Sequence, residues 1–235
     1  MTHEIQNFTF QNPTKILFGR NRIEDIDNEI PKDAKVLVLY GGGSVKKNGA
    51  FDRAVKALGN REWEEFSGIE ANPTFETLMK AVEKVRAGNF TYLLAIGGGS
   101  VIDGTKFVSA ASLFTENPVD LFGWGVGKGL PVQEVVPFGT ILTLPATGSE
   151  MNSGAVITLV EKKAKVSFRG TKTFPVFSVL EPELTYTLPV RQLVNGLLDT
   201  FIHVMENYLT YPVGALLQDR YAESILQTLI EIAPR

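Results

Sequence analysis

The stretch Leu197–Tyr208, "LLDTFIHVMENY", places a carboxylate, Asp199, four residues ahead of an imidazole, His203. At about 100° per residue a helix brings these side chains to one face, one turn apart. Oxygen and imidazole nitrogen donors at that spacing are suited to share one divalent ion. The same D-x-x-x-H spacing also describes the wet side of an ordinary helix, so the pair alone decides nothing. Its neighbours argue for contact with something. Asn195, Gly196, Thr200 and Asn207 are small or polar, and Glu206 is the one long charged side chain among them. Val190, Leu193, Val194, Leu197, Leu198, Phe201, Ile202, Met205, Tyr208 and Leu209 form a broad apolar stripe on the other side.

A second chemistry is written in two glycine-rich turns, "LVLYGGGSVKKNG" (Leu37–Gly49) and "LLAIGGGSVIDGTKF" (Leu93–Phe107). Each runs from an apolar strand through three glycines and a serine into a helical pattern. Glycine lets a ligand approach the backbone, and the following helix offers free N–H groups and partial positive charge to a phosphate. Neither turn is G-x-G-x-x-G or a G-x-x-x-x-G-K-[ST] phosphate loop, and either alone could be a plain strand-to-helix turn. Two of them at strand ends of one sheet favour a nucleotide in the crevice there. A third segment, "TLPATGSEMNSGAVIT" (Thr143–Thr158), follows an apolar run with a dense set of hydroxyls and amides suited to sugar and phosphate contacts.

The elements that must position these groups follow from hydrophobic periodicity. Lys35–Tyr40, Tyr92–Ile96, Gly139–Leu144 and Val176–Leu180 read as strands, the first two as near-continuous apolar runs covered on both faces. Gly49–Leu58 and Thr74–Arg86 read as helices, the second with Glu76 in its first turn, where the helix dipole favours an acid. Strands alternating with helices imply a Rossmann-like α/β domain with a mostly parallel sheet. From Pro189 the pattern turns all-helical, with Arg191–Leu209 and Gly214–Ile232 separated by "TYPVG". The expected organisation is an α/β dinucleotide-binding domain over 1–188 and the beginning of a helical domain over 189–235.

Composition narrows the class. The chain has 235 residues, 44% hydrophobic and 21% charged, as expected for a globular protein with a real core. With 23 basic against 26 acidic residues and no basic run interleaved with aromatics, nucleic acid is an unsuited partner. The absence of cysteine excludes thiolate ligands, cysteine nucleophiles and disulfides. No signal-peptide pattern opens the sequence and no run of apolar residues is long enough to span a bilayer, so the expectation is a cytoplasmic protein without membrane contact.

Taken together, "NPTKILFG", "YGGGSVKKNG", "NPTFETL", "IGGGSVIDGTKF", "TLPATGSEMNSGAVIT" and "NGLLDTFIHVMENY" closely resemble the iron-containing alcohol dehydrogenases. The likeness is greatest to the branch of NADPH-dependent aldehyde reductases and butanol dehydrogenases, and it runs in order over essentially the whole chain. It implies a dehydroquinate synthase-like architecture, with a divalent metal, iron or zinc, held by one aspartate and three histidines between the two domains. It assigns Asp199 and His203 to two of those ligands, and Gly98, Gly99, Ser100 and Asp103 to the pyrophosphate-binding turn. Thr143, Thr147 and Asn152 fall to the loop around the nicotinamide and its ribose, and Lys165 to a coenzyme contact. Gly42, Gly43 and Ser44 fall to the adenosine ribose end. Asn72 goes with that end, or is a plain helix cap. No acid occupies the first glycine turn and Lys46 and Lys47 lie just beyond, so NADPH is expected over NADH. The implied reaction is reversible hydride transfer between NADP(H) and an aldehyde or primary alcohol, by a homo-oligomer, a dimer.

One departure stands out. The family's remaining ligand histidines come from further along, whereas the other histidine here is His3 in the N-terminal tail. The expectation is an incomplete metal site and impaired turnover, with the apolar second helix in need of a partner. Two other readings stay open: a non-catalytic nucleotide-binding interaction module, and a glycerol- or polyol-type dehydrogenase of the same architecture.

Overall fold

The computed structural model describes residues 7–123, 125–210 and 214–233. The chain lays down β1 (Lys15–Phe18), α1 (Ile26–Glu29), β2 (Val36–Tyr40), α2 (Ser44–Lys47), α3 (Ala50–Leu58), β3 (Trp63–Phe66), α4 (Phe75–Gly88), β4 (Tyr92–Gly98) and α5 (Gly99–Leu113). It continues through β5 (Phe138–Leu144), β6 (Gly154–Leu159), β7 (Ala164–Arg169), β8 (Phe177–Leu180), α6 (Val190–Tyr208) and α7 (Leu216–Ile232).

Six strands form one sheet in the order β1-β8-β5-β4-β2-β3, and every pairing in it is parallel. Parallel sheets need cover on both faces, and β2 shows why its sequence "VLVLY" is apolar throughout. Leu37 and Leu39 enter the core on the α4–α5 side with Leu78, Ile102 and Phe107. Val36, Val38 and Tyr40 enter a second core on the α1–α3 side with Ile26, Phe51 and Leu58.

The strand order places the functional crevice. From β2 the chain moves outward to β3, whereas from β4 it moves the opposite way to β5. The reversal point therefore lies between β2 and β4, where an open α/β sheet offers its ligand crevice at the carboxyl ends. Tyr40 pairs with Ile96, so both triple-glycine turns leave the sheet at the same level, side by side.

Several elements differ from the sequence expectation. The short β1 and β3 are edge strands, and β3, "WEEF", carries two glutamates that mask its strand character. Gly154–Leu159, read as part of a polar loop, is instead β6, paired antiparallel with β7 across a turn at Lys163, which takes φ 48°. The predicted helix Thr74–Arg86 is α4, with Thr74 itself as N-cap accepting a hydrogen bond from the Thr77 N–H. That corrects the cap alternative for Asn72, which lies outside the helix in a left-handed conformation (φ 55°). After β8 the chain turns into α6 and α7, in neither of which is any residue buried. Part of "TYPVG" and the tail histidine His3 lie outside the described residues.

Candidate functional site

The N-terminus of α5, the segment around Thr147–Asn152, the β6–β7 hairpin and one face of α6 line a cavity of about 550 Å³. Gly99, Ser100, Asp103, Thr147, Asn152, Lys165 and Asn72 all line it, and so do Asp199 and His203. The face of α6 that carries the carboxylate and imidazole therefore looks toward the glycine turn, and the apolar stripe looks away. Leu198 and Ile202 are 54% and 52% exposed. Gly196 makes this orientation possible, since a Cβ there would sit 3.0 Å from the Pro145 carbonyl oxygen. Asp199 Oδ1 and His203 Nε2 are 3.9 Å apart and each about half exposed into the cavity.

At the opposite wall, α5 starts directly from the glycine turn, and its Gly98 N-cap provides no side-chain acceptor. The first-turn N–H groups are thus left for a ligand, with the positive end of a fifteen-residue helix behind them. A Cβ on Gly99 would lie 2.5 Å from Thr147 Oγ1, so the missing side chain is what lets the Thr147 segment close over the helix end. Lys165 Nζ donates to Asn72 Oδ1 at 2.8 Å, and the Asn72 N–H donates to Ser100 Oγ at 3.3 Å. Asn72 is thereby held at the second glycine turn.

Five residues assigned from sequence lie elsewhere. Gly42 and Gly43 belong to the neighbouring turn and Ser44 opens α2, all outside the cavity lining, and α2 is only four residues long because the chain breaks at Gly49 with φ 80°. Thr143 is buried within β5, and Gly98 sits in β4 just behind the lining. Lys46 is already engaged: its ammonium donates to Glu65 at 2.7 Å and lies 4.6 Å from the Phe51 ring centroid.

Sequence reading missed Lys106 and Arg169, the latter lining the cavity, and noted Ser149 only among the polar groups of the third loop. Lys106 is fully buried, and its Nζ donates to Ser149 Oγ (2.9 Å), Asn152 Oδ1 (2.8 Å) and the Gly154 carbonyl (2.7 Å). One helical turn earlier, Asp103 accepts from Ser149 Oγ and, at 2.9 Å, from the Val156 N–H. Asp103 lines the cavity, yet both carboxylate oxygens are taken up in holding the hairpin to α5. The signal that could have exposed Lys106 is its place on the same face as Asp103 in a helix otherwise apolar or small.

Burial, more than any charge, pushes the Lys106 ammonium down to about 8, and it raises the Asp103 carboxyl. Their attraction across 4.0 Å opposes both shifts without cancelling them. The sign for stability follows from proton binding. Between about 8 and the ordinary lysine value of 10.5, the unfolded chain holds a proton that the folded chain has released. Stability from this group therefore rises with pH across that window and is flat below it. Urea midpoints measured across the window should rise in the native protein and lose that component in Lys106→Met. An identical slope in both would refute it.

Among the described residues no group of three or more His, Cys, Asp or Glu is placed to hold a metal ion. Asp199 and His203 thus offer a carboxylate–imidazole pair of the right type, but half of a tetrahedral set. No helix among the described residues is long and apolar enough to cross a membrane.

A profile of the family described as "Iron-containing alcohol dehydrogenase" matches residues 13–182. This chain belongs to the iron-containing alcohol dehydrogenase family. Its similarity within that family is high to the NADPH-dependent aldehyde reductase YqhD of Escherichia coli (strain K12), 50% identical over 98% of this chain and 59% of that protein. A probable NADH-dependent butanol dehydrogenase of Bacillus subtilis (strain 168) is 42% identical over the same shares. The crystal structure of NADH-dependent butanol dehydrogenase A from Thermotoga maritima superposes with a TM-score of 0.90 at 37% identity, covering 97% of this chain and 57% of that one. The chain thus spans about 59% of the length of the curated relatives it matches, and the parallel sheet with its following helices is the fold of this dehydrogenase family.

Proposed function

We propose that this chain carries the coenzyme site, and two donors of the metal site, of an NADP(H)-dependent reductase of aldehydes that also oxidises primary alcohols. The observation that carries the reading is the single cavity with the open N-terminus of α5 on one wall and Asp199 and His203 on the other. In this reading residues 1–188 bind the dinucleotide and 189–235 open the helical domain. The Gly99 and Ser100 N–H groups take the pyrophosphate, whose charge Lys165 and Arg169 complement. Thr147 and Asn152 orient the nicotinamide and its ribose. Gly42, Gly43 and Ser44 sit at the adenosine end, one strand away across the reversal point.

The chain's task in the chemistry is positional. It holds the nicotinamide C4 against the carbonyl carbon and keeps water out, so that a hydride passes from coenzyme to carbonyl while the oxygen takes up a proton. A divalent ion, when bound by Asp199, His203 and further donors, supplies Lewis acidity at that oxygen. We place the protein in the cytoplasm as a homo-oligomer, a dimer, acting on small aldehydes and alcohols.

Support for NADPH over NADH comes from the acid-free first glycine turn and the 50% identity to an NADPH-dependent relative. Glu65 bears on the same choice, because it occupies Lys46. Fluorescence titration with NADPH and NADH, beside turnover of butyraldehyde with added Fe²⁺ or Zn²⁺, tests the reading. NADPH should bind more tightly than NADH, and turnover should depend on the added ion. Failure to bind either coenzyme, or turnover that ignores the added ion, would overturn the assignment.

A further inference from the structure

The coenzyme wall is made partly of the segment from Thr147 to Gly154, which has little regular structure of its own beyond one 3-10 turn at Ser149–Met151. Something must fix its shape. Lys106 lies directly behind it, outside the cavity lining and without solvent exposure, and spends all three N–H donors on that segment. Ser149 Oγ is shared, accepting from Lys106 and donating to Asp103. Packing alone does not call for an ammonium here, since a methionine would fill the same volume without the cost of desolvating a charge. A buried charge with three directed hydrogen bonds instead selects one loop conformation among several that apolar contact would tolerate.

We propose that Lys106 is a positioning residue for the coenzyme, holding Ser149, Asn152 and Gly154 so that the nicotinamide half of the dinucleotide finds a preformed wall. The inference rests on the dinucleotide reading of the cavity. It gives Asp103 and Ser149 a shared role as the tie between the phosphate-facing helix and the nicotinamide-facing segment. Lys106 touches no ligand itself and acts through the loop.

A split between the halves of the coenzyme tests this. The full chain and its Lys106→Met variant are titrated with NADPH and with 2′,5′-ADP, which carries the adenosine end alone. Lys106→Met should weaken NADPH binding by roughly tenfold, the scale of one lost buried polar interaction, while 2′,5′-ADP binds as before. A general loosening of the fold would weaken both ligands together, and that result would overturn the proposal. So would equal NADPH affinity in variant and native chain. Should Lys106→Met fail to melt cooperatively, Ser149→Ala removes only the shared hydroxyl, and the same selective loss for NADPH is expected at a few-fold level. An unchanged NADPH affinity in that variant would overturn the proposal as well. If the native chain binds neither ligand, the coenzyme reading itself falls, an outcome separate from native binding that the variants leave untouched.

Discussion

Gly99→Val is expected to weaken NADPH binding by roughly a hundredfold, the loss of two charge-assisted hydrogen bonds of about 1.5 kcal/mol each. The Cβ alone would come within 2.5 Å of Thr147 Oγ1 and 2.8 Å of Thr147 Cγ2, and the two further methyl groups enlarge the conflict. Thr147 must then swing away, taking with it the wall over the α5 N-terminus, and the valine itself stands where a pyrophosphate would approach the free N–H groups. The backbone of Gly99 is helical, so the substitution introduces no left-handed strain and the fold should persist. Gly123→Ala is the comparison, because Gly123 lies outside the cavity lining and a Cβ there meets nothing within 4 Å. Fluorescence titration of both variants reads the effect, and an affinity for Gly99→Val within threefold of native would refute it.

Gly139→Ala should be strongly damaging to stability. Gly139 lies in β5 opposite Phe177 of β8, and the phenyl ring occupies the space where a side chain would stand. An added Cβ would meet ring carbons at 2.2, 2.4 and 2.7 Å. Phe177 is fully buried among Leu17, Ile141 and Val179, so the ring has nowhere to move. Overpacking of this kind typically costs about 1–3 kcal/mol, and the enclosed ring puts this case at the upper end. A urea-denaturation midpoint lowered accordingly, and a smaller penalty when the alanine is combined with Phe177→Leu, are the expected results. Equal penalties in both backgrounds would show that the ring is not the cause.

Much of the arrangement was legible because its causes are local. The runs at β2 and β4 are apolar from end to end since both faces are covered, and the polar face of α6 betrayed a neighbour through Gly196, Asp199 and His203. What escaped reading depended on distant partners. β3 owes its existence to pairing with β2, and its glutamates are neutralised by Lys46 and Lys84, which no window of adjacent residues contains. The β6–β7 hairpin was hidden by the hydroxyl-rich stretch in front of it, although "GAVITL" alternates toward the core. Lys106 was overlooked because a lysine on a helix normally reaches water, and only the fold reveals that the β6–β7 hairpin covers it. The first glycine turn looked equivalent to the second, yet it leads into one turn of helix where the other leads into four.

The sheet also works as a partition. The two interiors share strands but keep separate inventories of side chains, one beneath α4, α5 and the hairpin, the other beneath α1 and α3. Every residue proposed to meet the coenzyme's reactive half belongs to the first compartment or its rim. Drift in that compartment, toward another coenzyme or a bulkier substrate, can therefore proceed while the far compartment keeps the chain folded. A lineage built this way can change its chemistry one side at a time.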